Sequence, residues 1–107
     1  VLHVNDHHST LDAKQQTLVW AEQEWQVEAG GFPRVGAQIK ALRAANDNVL
    51  TLHAGDAVTG SLYFMLFGSE ADARMMNNVC FDAFTIGNHE FDNGDAGLAN
   101  RQIKCQY

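Results

Sequence analysis

A parallel α/β sheet with helices on its faces is the fold class this sequence predicts, on three observations. Short β-branched or apolar runs alternate with helical periods in the order strand, helix, strand, helix, strand, helix. Each strand-like run is followed at once by a polar motif: Asn5-Asp6-His7-His8, Gly55-Asp56 and Gly87-Asn88-His89-Glu90-Phe91-Asp92. Right-handed crossovers between parallel strands would collect those motifs on one carboxyl edge, where open α/β sheets hold their ligands. The 107 residues make one domain at most, with no internal repeat or low-complexity tract.

Residues 1–4 (Val1-Leu2-His3-Val4) are short and apolar, which suits a buried strand. Residues 11–29 are rich in helix formers, with Leu18, Ala21 and Trp25 at helical spacing before Gly30-Gly31, and read as a loop with a helical turn or two. Pro33 fits a first helical turn, where its missing N–H would be unpaired anyway. Val35, Ile39, Leu42 and Ala45 then recur on one face, predicting an amphipathic helix that ends near Asn46-Asp47-Asn48. Residues 49–54 form the second predicted strand, and residues 61–67 an apolar helix. Ser69-Glu70-Ala71-Asp72 resembles a helix N-terminus, its acidic residues favoured by the helix dipole, with Ala71, Met75 and Val79 as the buried face. The Met75-Met76 pair reads as core filling. Residues 81–86 are the third predicted strand, with Asp82 at its start or exposed end, and residues 98–104 a weak helix.

Composition excludes several classes of function. A net charge of −6, with seven basic residues scattered along the chain, argues against gripping nucleic acid by its phosphates. A small phosphorylated substrate held through metals is compatible with that charge. No apolar run approaches the roughly 20 residues that span a bilayer. The chain opens directly in its first strand, without the charged and apolar regions of a signal peptide. Cys80 and Cys105 have no ligand spacing and read as a core thiol and a terminal one.

The three motifs point to a pair of divalent cations. Two ions about 3.5 to 4 Å apart can hold the attacking oxygen and the phosphoryl oxygens of an in-line displacement, with a metal-bound water as nucleophile. Such a pair needs a bridging carboxylate, and Asp56, at the end of the central predicted strand, is the candidate. Asp6 and His8 can turn onto one ion together, and Asn88 can give the other a neutral oxygen. His89 is placed to protonate the departing alkoxide, with Asp92 bonded to its other ring nitrogen. Asp, His and Asn together suit Zn, Mn, Co, Fe or Ca without choosing among them.

With the longer stretches Gly31-Phe32-Pro33-Arg34 and His53-Ala54-Gly55-Asp56-Ala57-Val58-Thr59-Gly60, the motifs resemble the 5'-nucleotidase branch of the calcineurin-like metallophosphoesterases over roughly residues 1–99. The resemblance implies Asp6, His8, Asp56 and Asn88 as metal ligands and His89 with Asp92 as the catalytic pair. It further implies an α/β/β/α sandwich, hydrolysis of nucleoside phosphates, and a periplasmic or extracellular setting. Later histidines and a C-terminal nucleotide-binding domain, both part of that family's pattern, do not follow Asp92 in this chain. Residues 1–107 therefore read as the N-terminal portion of a catalytic domain, with apolar surface left open to the remainder of the enzyme or to self-association.

Singly, each motif is also ordinary turn chemistry. His3 and His53, inside strands, read as buried structural residues, and His7 as lying behind the ligands or in solvent. Glu90 reads as a cap or orienter of its loop, Thr59 as a donor behind the site, and Arg34 as solvated rather than phosphate-bound. Trp20, Trp25 and Phe32 read as packing before a base-stacking platform. Two other functions compete: a non-enzymatic fragment with partial metal binding, and a flavodoxin-like nucleotide-binding module. The second lacks a Gly-rich loop after the first strand, where Asp6 would repel a phosphate unless a cation intervened.

Overall fold

The computed structural model describes residues 1–99. In chain order the elements are strand β1 (Leu2–Val4), strands β2 (Ala13–Trp20) and β3 (Gln23–Gly30), helix α1 (Phe32–Ala45), strand β4 (Thr51–His53), helices α2 (Leu62–Phe67) and α3 (Glu70–Val79), strand β5 (Ala83–Phe84), a 3-10 turn (His89–Phe91) and helix α4 (Gly94–Ala99). The first, fourth and fifth strands form a parallel sheet in the order β1-β4-β5, so the α/β reading holds and β4 is the central strand.

Register decides which strand residues enter the core. Leu2 pairs with Thr51, Val4 with His53, and His53 with Phe84, which places these side chains on one face. The helices α1 and α3 pack against that face and against each other. Phe32, Ile39, Met76 and Val79 come from the helices, and Leu11, Ala57 and Val58 from the adjoining loops. His3 and Ala83 lie on the opposite face and are exposed. The expectation of a buried His3 is therefore corrected: alternation admits only His53 to the helix side. Leu50, just ahead of β4, is 43% exposed, as expected of a sheet with apolar surface still open.

The largest departure concerns residues 11–29. They form an antiparallel hairpin whose register runs from Ala13 opposite Gly30 to Trp20 opposite Gln23. Ala21 and Glu22 make the two-residue turn with φ of 50° and 62°, the left-handed pair that matches strand twist in tight hairpins. Helix-forming Lys, Gln and Glu side chains tolerate this ribbon because nearly all of it is solvent-exposed. Leu18 stands opposite Trp25, and the Gln26 amide donates to the Thr17 hydroxyl at 2.8 Å. Trp20 and Trp25 are exposed on the ribbon, Trp25 opposite Leu18, whereas Phe32 is buried in the core.

In α3 the inward face is Asp72, Ala73, Met76 and Val79, rotated slightly from the predicted Ala71, Met75 and Val79. An acidic residue can occupy that face because its carboxylate is fully hydrogen-bonded. At the far end of the sheet Arg43 donates to the carbonyls of Val79 and Cys80, both at 2.6 Å, and to the Thr51 hydroxyl at 3.0 Å. These bonds satisfy the free C-terminal carbonyls of α3 and fasten both helices to β4. The predicted terminal helix begins earlier, as α4, and residues 100–104 lie outside the described residues. Among the described residues no helix is long and apolar enough to cross a membrane.

Candidate metal centre

The segment after β1 continues alongside the segment after β4. Asp6 N–H donates to the Gly55 carbonyl at 3.0 Å, His8 N–H to that of Asp56 at 3.2 Å, and Ser9 N–H to that of Ala57 at 2.9 Å. To follow this path Asp6, His8, Ser9 and Asp56 adopt φ of 50°, 45°, 48° and 50°. A left-handed conformation costs a non-glycine residue roughly 1 to 2 kcal/mol. Away from a turn, such a conformation needs neighbouring contacts to hold it, and the bonds to the segment after β4 supply them.

The third motif arrives by close backbone packing. A Cβ on Gly55 would lie 2.7 Å from the Gly87 nitrogen, and one on Gly87 would lie 2.6 Å from Asp56 Cγ and 2.8 Å from its nitrogen. Glycine is thus required at both positions for the two loops to touch. Buried Glu90 then ties them: its carboxylate accepts the N–H groups of Asp56 and Ala57, each at 2.9 Å, and of Gly87 at 2.6 Å. The expected loop orienter is in fact a bridge between two motifs.

By these constraints Asp6, His8 and Asp56 each offer a ligand atom within 4.8 Å of the others. His8 Nε2 lies 3.6 Å from Asp6 Oδ1. The Asn5 amide beside Asp6 holds its carboxyl below the usual range, with His8 and Asp56 adding to the effect, so Asp6 is anionic at neutral pH. Two carboxylates and an imidazole this close together are a donor set that fits a divalent cation. Asn88, exposed, opens the 3-10 turn between Gly87 and His89, both in contact with Asp56.

His89 sits beside this group. Its N–H donates to Asp56 Oδ1 at 2.9 Å, and its ring lies 5.0 Å from that of His8 and nearly perpendicular to it. His89 Nδ1 is 3.0 Å from Asp92 Oδ2, the predicted pairing across the turn. That bond to Asp92 raises the pKa of His89, helped by the charges of Asp92, Asp56 and Glu90. Asp92 is held low in turn by His89 and by a hydrogen bond from Thr59, the donor anticipated there.

Other residues take structural places. His7 turns inward, with Nδ1 2.9 Å from His53 Nε2 and Nε2 3.1 Å from Asp72 Oδ1. Arg34 is not free: it donates to the Glu28 carbonyl at 2.8 Å and pairs with the Glu28 carboxylate. Cys80 is a partly buried free thiol at the end of α3, and Cys105 lies outside the described residues.

Burial pushes His53 down to about 4, with the neighbouring His7 adding to the effect. His53, 1% exposed, is therefore neutral in the folded protein. Unfolding lets it take up a proton below its ordinary value near 6.5, so the unfolded state gains as pH falls. Stability is accordingly full above pH 6.5 and is lost between there and about 4. The whole window is worth on the order of 3 kcal/mol. Urea unfolding at stepped pH checks this, and a flat curve between pH 6.5 and 4.5 would contradict it.

Comparison with known proteins identifies the family. The family model described as calcineurin-like phosphoesterase matches residues 1–104. The NAD 5'-nucleotidase of Haemophilus influenzae is 51% identical over 98 residues, covering 92% of this chain and 16% of the relative. The solved structure of Haemophilus influenzae NAD nucleotidase superposes with a TM-score of 0.85 at 50% identity, over 91% of this chain and 17% of that one. A 5'-nucleotidase precursor from Thermus thermophilus superposes with a TM-score of 0.78 at 36% identity, over 92% and 18%. The chain thus spans less than a fifth of the length of these proteins.

Proposed function

Because the chain belongs to the calcineurin-like phosphoesterases, we propose that it carries part of a two-metal site that hydrolyses phosphate esters of nucleotides, in the manner of a 5'-nucleotidase. The observation that carries this reading is the convergence of Asp6, His8 and Asp56 within 4.8 Å at the carboxyl edge of the sheet, with His89 beside them. Asp56, approached from both sides, is the bridging ligand on this reading; Asp6 and His8 serve one cation and Asn88 the other. Bound divalent cations supply the positive charge that acidifies a water and draws electrons from the phosphoryl group.

The chain's own residues do the rest. Asp92 accepts His89 Nδ1–H and so fixes the ring with Nε2 facing away from Asp92. Protonated His89 then gives its Nε2 proton to the ester oxygen as the P–O bond breaks, so the alcohol leaves uncharged. Glu90 keeps the two loops in register throughout. Residues 1–107 correspond on this reading to the N-terminal portion of a catalytic domain, in keeping with the share of the relatives that they span. The open face of the sheet awaits the rest of the sandwich, and the setting is periplasmic or extracellular.

Phosphate release from nucleoside monophosphates, assayed with and without chelator, tests the function. The expected result is turnover that chelation abolishes and Mn2+, Co2+ or Zn2+ restores; turnover unaffected by chelation would contradict the metal mechanism. The short share of the relatives favours a second reading, a fragment that takes up a cation without hydrolysis. Metal uptake lost in Asp56→Asn, with no phosphate release in the native protein, would select it.

A further inference from the structure

We propose that Asp72 is a positioning residue for the metal centre: its carboxylate on α3 grips both neighbours of His8 and so sets the conformation in which His8 and Asp6 face one cation. This rests on the reading of Asp6 and His8 as ligands and adds the device that holds them. One Asp72 oxygen accepts from His7 Nε2 at 3.1 Å and the other from the Ser9 hydroxyl at 2.7 Å. His7 and Ser9 flank His8 in the chain, and both Ser9 and Asp72 are 0% exposed.

The hydrogen-bond roles close without conflict. Gly55 N–H donates to His53 Nδ1 at 3.2 Å, which leaves the neutral ring's proton on Nε2. His53 Nε2–H donates to His7 Nδ1 at 2.9 Å, so His7 carries its own proton on Nε2, where Asp72 accepts it. Every donor and acceptor from the Gly55 amide to the Ser9 hydroxyl is therefore assigned once. Such closure matters because Asp6, His8 and Ser9 are all left-handed. Their backbone bonds to the segment after β4 hold one side, and Asp72 holds the other. The helix bearing Asp72 is itself anchored in the core through Met76 and Val79.

Two substitutions separate positioning from fold. Asp72→Ala removes both bonds, while Asp72→Asn keeps an oxygen for His7 and lets the Ser9 hydroxyl turn to accept from its amide. In the metal-free protein, Asp72→Ala is expected to speed amide exchange at His8 and Ser9 about 10-fold or more, leaving Ile39 in α1 unchanged. Binding of Mn2+, followed by calorimetry, is expected to weaken about 10- to 100-fold, the usual effect of losing a partner behind a ligand. Asp72→Asn restores both. Nitrogen-15 spectra of the histidines supply a third readout: Nε2-protonated His7 and His53 in the native protein, with His7 losing that preference in Asp72→Ala. Should Asp72→Ala not fold, Ser9→Ala removes one of the two bonds and is read the same way. Native exchange at His8 with native Mn2+ affinity in the alanine variant, or failure of asparagine to restore them, would overturn the proposal. If the native protein takes up no Mn2+ while the exchange difference persists, the ligand reading falls, and the role given to Asp72 falls with it.

Discussion

Gly87→Ala is expected to abolish divalent-metal binding. Its Cβ would collide with the Asp56 carboxylate, lying 2.6 Å from Cγ and 2.8 Å from the nitrogen of the same residue. Neither neighbour can yield cheaply. The Asp56 backbone is held by Glu90 and by the His8 amide, and one carboxylate oxygen already accepts from His89 N–H. Relief requires driving the Gly87 loop away from Gly55, which would break the bonds from Gly87 and Asp56 to Glu90 and displace the candidate bridging carboxylate. Overpacking of this kind costs about 1 to 3 kcal/mol, and misplacement by an ångström costs further in affinity. Gly68→Ala is the control, because a Cβ there meets nothing within 4 Å and the φ of 57° brings only the left-handed backbone penalty. Calorimetric titration with Mn2+ should show binding retained in Gly68→Ala and lost in Gly87→Ala; equal affinities would refute the packing argument.

On the proposed function, His89→Ala in a full-length enzyme that contains this segment is expected to lower kcat for phosphate release by about 10²- to 10⁴-fold, the range for loss of a general acid, with little change in KM. The substitution removes the side chain that lies beside His8 but leaves the backbone N–H that donates to Asp56, so the candidate ligands keep their places. Asp92→Asn acts through His89: its amide no longer offers a charged acceptor to Nδ1 and the ring loses its fixed orientation. A smaller loss in kcat is expected, and none beyond that of His89→Ala when the two are combined, because both act on one proton transfer. Independent, multiplying losses from the two substitutions would separate Asp92 from the histidine and contradict the pairing.

Much of this site was legible because its residues follow strands. The runs at residues 1–4, 49–54 and 81–86 announce parallel strands, and parallel strands leave their polar followers on one edge, so Asp6, His8, Asp56 and His89 could be grouped without coordinates. The hairpin was not legible, for two reasons. Ala21-Glu22 has none of the Asn or Gly that usually marks such a turn, and Leu18, Ala21 and Trp25 mimic a helical stripe in a ribbon that buries almost nothing. The place of His7 behind the ligands follows from its position between Asp6 and His8, but its partners do not. It turns inward to His53 and Asp72, which lie 46 and 65 residues further along the chain and meet it only in the fold. The part played by Asp72 had no sequence signal, since an acidic residue near a helix start is ordinarily solvated. Glu90 was readable as an orienter, but its three backbone partners, spread over two loops, exist only in the folded chain.

Anomalous diffraction from crystals grown with Mn2+ tests the central claim most directly. The account predicts metal density within about 2.0 to 2.6 Å of oxygens of Asp6 and Asp56 and of a ring nitrogen of His8. Metal bound elsewhere, with those three side chains dry of any cation, would contradict it.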